Sequence, residues 1–239
     1  MLQGIGMLAV ALGIIGIIYG FMQRLKAGRV ADAPLVSTAQ AAQGQQASPK
    51  GAISTQGKVL CAQPLIAPFS GTPCLFYELK VTARWKEGDH ERTKEIDHQK
   101  AAAPFALDDG SGPVQIDASK GGDFDPSQTR EDTKSTGLIG GITGQELVFG
   151  SYRLQTGMLA LGTKYTVRED VLPVQPHLYA CGKSAPGAIT SPDWRQLLLS
   201  NKSRDDMLAA ATKGAKTFLI GGAAAFVGGV LLTVVGQLV

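Results

Sequence analysis

The side chains that most often bind metals are few in this sequence and are not grouped. Three cysteines and three histidines occur among 239 residues. Structural zinc sites draw their ligands from closely spaced pairs such as CxxC or HxxxH, and the sequence contains no such pair. We therefore predict no metal site and no cofactor. The cysteines and histidines considered as ligands are Cys61, Cys74, Cys181, His90, His98 and His177.

Two of the cysteines leave two redox states open. Cys61 and Cys74 could pair as a disulfide if the domain faced an oxidising space. In a reducing compartment they would instead remain thiols, and buried free thiols are the simpler interpretation. Their state therefore depends on which side of a membrane the domain occupies.

The sequence contains no nucleophile or phosphate-binding motif. GxSxG is absent, and the glycine-rich Gly137–Gly144 lacks the Gly-Lys-Ser/Thr end of a P-loop. We predict that this segment is a flexible loop or, alternatively, a partner-contact surface. The acid pairs Asp108–Asp109 and Asp123–Asp125 lie in turn-forming contexts, which indicates solvated turns, with calcium binding as the alternative. We predict no catalytic residue, and we expect that the chain is not an enzyme.

Charged side chains are confined to the middle of the chain. The 23 Lys and Arg and the 20 Asp and Glu all lie between Arg24 and Lys216. The uncharged ends, residues 1–22 and 217–239, are each long enough to cross about 30 Å of hydrocarbon as a helix. Residues 1–22 lack the charged start and the small-residue cleavage site of a signal peptide. Both ends are therefore predicted to be transmembrane helices.

Small residues at four-residue spacing occur in both predicted spans. Such rows let helix backbones approach closely in lipid, although glycine is also generally frequent in membrane helices. The rows fit pairing within one chain or between chains, and we expect a homo-oligomer formed through these helices. The predicted helix-packing residues are Gly16, Gly20, Gly221, Ala225 and Gly229.

Basic residues flank the inner ends of both predicted spans. The positive-inside rule places such flanks in the cytoplasm, so we expect a cytoplasmic central domain, with a periplasmic location as the alternative. These cations also account for the net charge of +3, so nucleic acid is not predicted as a partner. The membrane-flanking cations are Arg24, Lys26, Arg29, Lys202, Arg204, Lys213 and Lys216.

The segment between the spans has the pattern of a β-rich domain. Leu75–Trp85 alternates apolar and polar residues, as a half-buried strand does. The charged tract Lys86–Lys100 is predicted to be an exposed hairpin tip or loop. Pro104–Asp117 is predicted to form two short strands joined by an Asp/Gly turn. We expect a mostly antiparallel, barrel-like β domain over residues 53–190.

The segments beside this domain have different patterns. Residues 23–52 form a basic flank followed by Ala39–Pro49, which is rich in Ala and Gln and indicates a flexible linker or a polar helix that continues the first span. Residues 191–216 are predicted to be a helical connector, because Pro192 and Asp193 suit a first helical turn. Ser203 and Asp206 have capping-box spacing, which favours a helix running into the second span. The predicted fold class is an α+β membrane protein in which two transmembrane helices bracket the β-rich domain.

Several stretches resemble the GIDE, or BAM ("beside a membrane"), domain family. They cover most of residues 50–239, and the order of the stretches within the helix–domain–helix layout makes the match more specific than any one of them. The stretches are Ile53–Val59, Ser70–Val81, Pro104–Asp117, Val171–Ser184 and Ser203–Gly222.

The resemblance implies a membrane protein related to an E3 ubiquitin ligase of the mitochondrial membrane. In that ligase a RING follows the second helix, and we expect no RING activity from this chain. The family ligase holds the domain in an intermembrane space, whereas the flanking cations here favour the cytoplasm. The bacterial relatives look like two-pass proteins that respond to envelope stress, which implies a bacterial inner membrane.

These expectations lead to two hypotheses about function. In the first, the protein is a non-catalytic interaction, assembly or envelope-stress module. Its expected partners are membrane lipid, copies of itself and another protein. In the second, it is an accessory or E3-ligase-like family member that acts through a partner supplying the catalytic part.

Overall fold

The computed structural model describes residues 2–125, 127–137, 143–157, 162–192 and 196–238. The chain divides into two compact units. The helical unit consists of Met1–Pro34 and Lys202–Val239, and the β module consists of Leu35–Asn201. Three helices occur in the described residues, namely α1 (Leu2–Asp32), α2 (Thr38–Ala42) and α3 (Arg204–Leu238).

The helical unit is built from the two long helices. At about 1.5 Å per residue, α1 and α3 are about 46 and 52 Å long, which exceeds the roughly 30 Å of a bilayer core. Each contains a stretch long and apolar enough to cross a membrane, Gly4–Asp32 and Arg204–Gly236. The predicted arrangement of two candidate spans bracketing a β-rich domain is therefore confirmed.

Both long helices extend beyond the predicted spans of residues 1–22 and 217–239. Helix α1 continues through the basic flank to Asp32, since no proline interrupts it before Pro34. Helix α3 begins after Ser203, whose hydroxyl accepts the Asp206 N–H at 3.2 Å and donates to its carboxylate at 2.7 Å. The predicted helix from Ser203 through Lys216 into the apolar run is confirmed.

Fourteen strands form the β module within the described residues. They are β1 (Ala52–Leu60), β2 (Leu65–Ile66), β3 (Pro73–Glu87), β4 (His90–Ala102), β5 (Phe105–Asp108), β6 (Val114–Asp117), β7 (Gly122–Asp125), β8 (Gln128–Ser135), β9 (Glu146–Phe149), β10 (Tyr152–Gln155), β11 (Lys164–Pro173), β12 (His177–Ala185), β13 (Ala188–Thr190) and β14 (Leu197–Ser200).

Five of these strands close into a barrel. The order is β1-β5-β6-β13-β12, and β12 pairs back onto β1 from Ala52↔Lys183 to Lys58↔His177. Apart from the parallel β6–β13 pair, the barrel pairs are antiparallel. Its core includes Ile53, Phe105, Leu107, Leu178 and Ile189, each at most 2% exposed. The expectation of a barrel-like β domain is confirmed, and the predicted strand pair in Pro104–Asp117 is β5 and β6.

A second sheet lies beside the barrel in the same module. Its order is β4-β3-β11-β8 with antiparallel pairs throughout, and the short β2 also pairs with β3. One face of this sheet packs under the β9–β10 hairpin, which contributes Leu147, Phe149 and Leu154 to a shared core with Leu79 and Val167. The charged tract Lys86–Lys100 is therefore largely strand, because β4 pairs with β3 along its whole length.

Two further segments differ from the sequence predictions. The Ala/Gln-rich segment contains the short helix α2, which begins after Ser37 in a capping box closed by Gln40. The helical connector predicted from residue 191 contains strand β14 before α3 begins. All four residues of β14 are buried, because it pairs with β12 on one side and with β7 on the other.

Candidate functional surfaces

Glycines on the two long helices allow their backbones to approach closely. A Cβ on Gly13 would lie 2.6 Å from the Phe226 nitrogen, and one on Gly222 would lie 2.8 Å from the Ile17 nitrogen. A Cβ on Gly229 would lie 2.7 Å from the Val10 nitrogen. Residues nearer the start of α1 contact residues nearer the end of α3, so the two helices are antiparallel. The close approach therefore occurs within one chain, through Gly6, Gly13 and Gly20 on α1 and Gly222 and Gly229 on α3.

The predicted helix-packing residues divide between two faces. A Cβ on Gly16 would lie 3.2 Å from the Cα of Gly222, and Gly20 and Gly229 also lie in the α1–α3 contact. Gly221 has no atom within 4 Å of its Cβ position, and Ala225 is half-buried. The sequence signal that predicts this contact is a seven-residue spacing between glycines. Seven residues make about two helical turns, so glycines at this spacing lie on one face of the helix. The spacing relates Gly6, Gly13 and Gly20 on α1 and Gly222 and Gly229 on α3.

An aromatic pair lies where the apolar part of the helical unit meets the charged part. The rings of Tyr19 and Phe218 meet edge to face with centroids 4.6 Å apart. Gln23 Nε2 donates a hydrogen bond to the Tyr19 hydroxyl at 2.9 Å. Aromatic rings with a polar end are typical of the membrane–water interface. Phe218 lies at the start of the uncharged run of α3, which begins at Thr217 directly after Lys216.

The flanking cations of the helical unit have different surroundings. Arg204 Nη2 donates to the carbonyl of Ala31 at 3.3 Å, so it caps the end of α1. Lys26 and Arg29 are half-buried on α1, and Lys202 is exposed just before α3. The remaining three, Arg24, Lys213 and Lys216, are exposed. Within the described part of the chain, none of these three forms an ion pair.

On the outward face of the second sheet, charged side chains form rows that run across the strands, and a basic row lies next to an acidic row. Register places Arg168 beside Lys80 and Asp170 beside Glu78, while His98 lies opposite Lys80 on β4. We call this surface the charged face. It consists of Glu78, Lys80, Arg84, Glu91, Glu95, His98, Arg168 and Asp170.

Ion pairs connect most of the charged face. Lys80 Nζ lies 2.9 Å from Glu78 Oε1, and His98 Nε2 lies 2.8 Å from the same oxygen. Arg168 Nε lies 3.2 Å from Asp170 Oδ2. Partial burial acts to raise the pKa of Glu78, but the hydrogen bonds from Lys80 and His98 outweigh it and lower this pKa. The hydrogen bond to Glu78 raises the pKa of Lys80. The charges of this face are therefore largely neutralised by one another.

A β-bulge turns one carboxylate away from the charged face. The β3–β4 register shifts between Val81 and Thr82, which leaves Ile96 as the extra residue between Glu95 and Asp97. Asp97 accepts a hydrogen bond from the Tyr152 hydroxyl at 2.6 Å, which ties the β9–β10 hairpin to the sheet. Burial first, and then this hydrogen bond, raises the pKa of Tyr152.

A buried carboxylate holds the loop between β2 and β3. Glu169 is fully buried and accepts the backbone N–H groups of Phe69 at 2.6 Å and Ser70 at 2.9 Å. Burial, followed by the nearby Glu169 charge, raises the pKa of the Cys74 thiol to about 11. Cys74 is therefore a protonated, unreactive thiol at neutral pH. None of the three cysteines, Cys61, Cys74 and Cys181, forms a disulfide in the structure.

The two predicted acidic turns have different structures. Asp109 does lie in a turn, where its carboxylate accepts from the Ser111 hydroxyl at 2.6 Å and the Thr38 hydroxyl at 2.7 Å. Side-chain hydrogen bonds, first from Ser111 and then from Thr38, lower the pKa of Asp109 despite opposing desolvation. The prediction of a turn at Asp123–Asp125 is wrong, because these residues lie in β7, paired with β14. No group of three potential metal ligands occurs in the described residues.

The glycine-rich segment Gly137–Gly144 lies largely outside the described residues, since only positions 137, 143 and 144 are described. Its two sides are linked to neighbouring backbone. Thr136 N–H donates to the Thr163 carbonyl at 3.0 Å, and Thr156 N–H donates to the Gln145 carbonyl at 2.9 Å.

Comparison with models of known protein families shows which family the chain belongs to. Curated proteins and solved structures give no match. The model of the GIDE family, described as E3 ubiquitin ligase, matches residues 77–236, which is more than half of the chain. This range begins inside β3 and ends near the end of α3, so it includes the charged face and one of the two candidate spans. The chain therefore belongs to the GIDE family.

Proposed function

We propose that this GIDE-family protein is a non-catalytic, two-pass membrane protein whose β module is a membrane-proximal interaction module. The observation that carries the proposal is the charged face. Its basic and acidic rows alternate across a four-stranded sheet. The β3–β4 hairpin continues past the last β11 partner at Arg84 to the turn after Glu87. Such a surface suits a protein partner whose own charges alternate, because complementary rows fix both register and specificity.

Membrane insertion is the second part of the proposal. The apolar lengths of α1 and α3 support it, as does the small-residue contact between them. We further propose a bacterial inner membrane with the module in the cytoplasm, on the strength of the basic flanks, and a role in the response to envelope stress. Protease added to inverted vesicles should then cleave the module, while protease added to spheroplasts should not. The reverse pattern would place the module in the periplasm.

We also propose that copies of the chain associate through their helices. The glycines Gly6, Gly13 and Gly222 face the other helix of the same chain, so they are not free for this purpose. Gly221 lies on a part of α3 where no atom comes within 4 Å of its Cβ position. This second face would carry the contact between copies.

Site-directed crosslinking tests the interaction surface. Thr93 is exposed on β4, opposite Arg84, and Thr93→p-benzoylphenylalanine would place a photoreactive group on the edge of the charged face. The matched control places the same group at Ser119, which is exposed after β6. We expect a discrete protein adduct from Thr93 and none from Ser119.

Whether the Thr93 adduct depends on the charges of this face tests the proposal directly. Combining Lys80→Glu with Arg168→Glu replaces two cations in one row and should abolish the adduct in a protein that keeps its unfolding temperature in detergent. An adduct that survives the double replacement, or that forms equally from Ser119, would contradict an electrostatic docking surface.

The family description favours a second candidate function, in which the chain is an accessory to a catalytic partner. In that case the protein captured through Thr93 would itself carry ligase or other transfer activity, and purification of the complex would recover it. A captured partner that has no activity with or without this chain would favour the first proposal.

A further inference from the structure

We infer that Lys213 and Lys216 of α3 form a binding site for the headgroup of an anionic phospholipid. The inference rests on the proposed membrane insertion of the helical unit, and it adds a specific lipid class to that proposal. An open groove on α3 is lined by Leu208, Ala209 and Thr212, together with Lys213 and Lys216. No other residue type in this groove carries charge, so its electrostatic character is positive.

The position of the groove along α3 matches the headgroup layer. Lys216 is the last charged residue before the uncharged run that begins at Thr217. Lys213 lies three residues earlier, which is about 5 Å along a helix axis. The polar layer on each side of a bilayer core is about 5–8 Å thick. The two ammonium groups and the Thr212 hydroxyl therefore lie at the depth where lipid phosphates occur.

The Tyr19–Phe218 pair supports the same depth from independent residues. Phe218 is two residues beyond Lys216, and its edge-to-face contact with Tyr19 lies where interfacial aromatic rings are expected. Arg24 adds a third cation at this level of the helical unit, since it comes one turn after Gly20, whose neighbours on α3 are Ala215 and Leu219. Aromatic and basic residues thus mark one layer on both helices.

Among the described residues, the three cations Arg24, Lys213 and Lys216 lack a protein counterion, since no carboxylate there lies within ion-pair distance of them. The acids of the helical unit are Asp32, Asp205 and Asp206, which lie at the far ends of the charged segments. A phosphate diester bears the negative charge that would complement these cations, and lysines three apart on a helix share one face to hold it.

Reconstitution of the full chain tests the site. The wild-type protein is placed in nanodiscs of phosphatidylcholine alone or with one fifth phosphatidylglycerol, and native mass spectrometry counts the lipids that stay bound. We expect retained phosphatidylglycerol on the wild type and an apparent affinity about 30-fold weaker in the Lys213→Gln/Lys216→Gln variant, since each cation near a membrane contributes about 1 kcal/mol. Replacing both lysines by arginine should preserve the retained lipid.

The controls separate the inference from general charge attraction and from the proposed function. The variant Lys86→Gln/Lys164→Gln removes two exposed lysines of the β module, and an equal loss of bound lipid there would overturn the site. Inorganic phosphate that stabilises the detergent-solubilised chain as well as phosphatidylglycerol does would reassign the groove to a free anion. A chain that alkaline carbonate extracts from membranes would defeat the proposed function itself. A chain that resists extraction yet retains no anionic lipid would defeat only the present inference.

Discussion

Cations in the β module and in the helical unit have opposite surroundings. On the charged face Lys80 and Arg168 lie within 3.2 Å of carboxylate oxygens. In the helical unit Arg24, Lys213 and Lys216 are exposed, and in the described residues no carboxylate pairs with them. A charge that is paired within the fold supports local geometry, whereas an unpaired charge at a membrane boundary is available to lipid.

Glycine also serves different purposes in the two units. In the helical unit Gly13 and Gly222 are helical, and their lack of a side chain lets the other helix approach. In the β module Gly88 and Gly110 adopt positive φ values of 63° and 94° in turns between strands. The helical unit is therefore stabilised by close backbone packing, and the module by side-chain hydrogen bonds and a buried core. Substitutions should disturb one unit without disturbing the other.

The largest effect is expected from Gly222→Leu. A Cβ at this position would lie 2.8 Å from the Ile17 nitrogen and 2.9 Å from the Gly13 carbonyl oxygen, and both are backbone atoms that cannot move aside alone. We expect separation of α1 from α3 at a cost of about 3 kcal/mol, the upper end for overpacked sites. Disulfide formation between cysteines introduced by Tyr19→Cys and Phe218→Cys would report the loss.

Gly221→Leu is the matched control, because nothing lies within 4 Å of its Cβ position. It should leave the Tyr19→Cys/Phe218→Cys disulfide intact and should reduce the particle mass in mild detergent if copies associate through this face. Equal loss of the disulfide in both variants would contradict the α1–α3 contact as described. A wild-type particle that is strictly monomeric would contradict the proposed association.

The positions of the two candidate spans were predictable, but the glycines at the contact between them were only partly so. The absence of charge before Arg24 and after Lys216 is a property of each segment alone. Which side of a helix meets its neighbour depends on the other helix. Four-residue spacing therefore identified Gly16, Gly20 and Gly229, which lie in the contact, but also Gly221, which does not, and it missed Gly13 and Gly222.

Strands formed by distant partners were also difficult to predict. Leu197–Ser200 is a short apolar run that fits a buried strand or a helix equally well by pattern. Its pairing with β7, more than seventy residues earlier in the chain, determines the outcome. The same pairing places Asp123 and Asp125 in a strand. The charged face was not predictable for a related reason, because β4 lacks the apolar alternation of a half-buried strand and acquires its structure from β3.

An intermediate effect, confined to the β module, is expected from Glu169→Gln. The carboxylate accepts two backbone N–H groups in a fully buried site. The amide would present an NH₂ donor to one of them, so one N–H would lose its acceptor, and we expect a loss of about 2 kcal/mol in the free energy of unfolding. Urea unfolding followed by tryptophan fluorescence would measure it. The Tyr19→Cys/Phe218→Cys disulfide should form as in the wild type, and its loss would contradict the independence of the two units.

The smallest effect is a pH-dependent one at Asp109. The Ser111 and Thr38 hydroxyls stabilise its charged form and lower its pKa, so the stabilisation is complete above the ordinary aspartate pKa of about 3.9. It is lost as the pH falls through the lower pKa of the folded state. Because the side chain is exposed and screened by solvent, we expect Asp109→Asn to cost about 1 kcal/mol or less at pH 6.

The difference between wild type and Asp109→Asn should therefore shrink as the pH is lowered from 5 towards 2, as measured by urea unfolding in detergent. Asp89→Asn is the control, since Asp89 is exposed in the β3–β4 turn and makes no hydrogen bond or ion pair through its side chain among the described residues. Its effect should be near zero at every pH. A difference for Asp109→Asn that stays constant across this range would mean that the Ser111 and Thr38 hydroxyls hold the neutral side chain as well as the charged one.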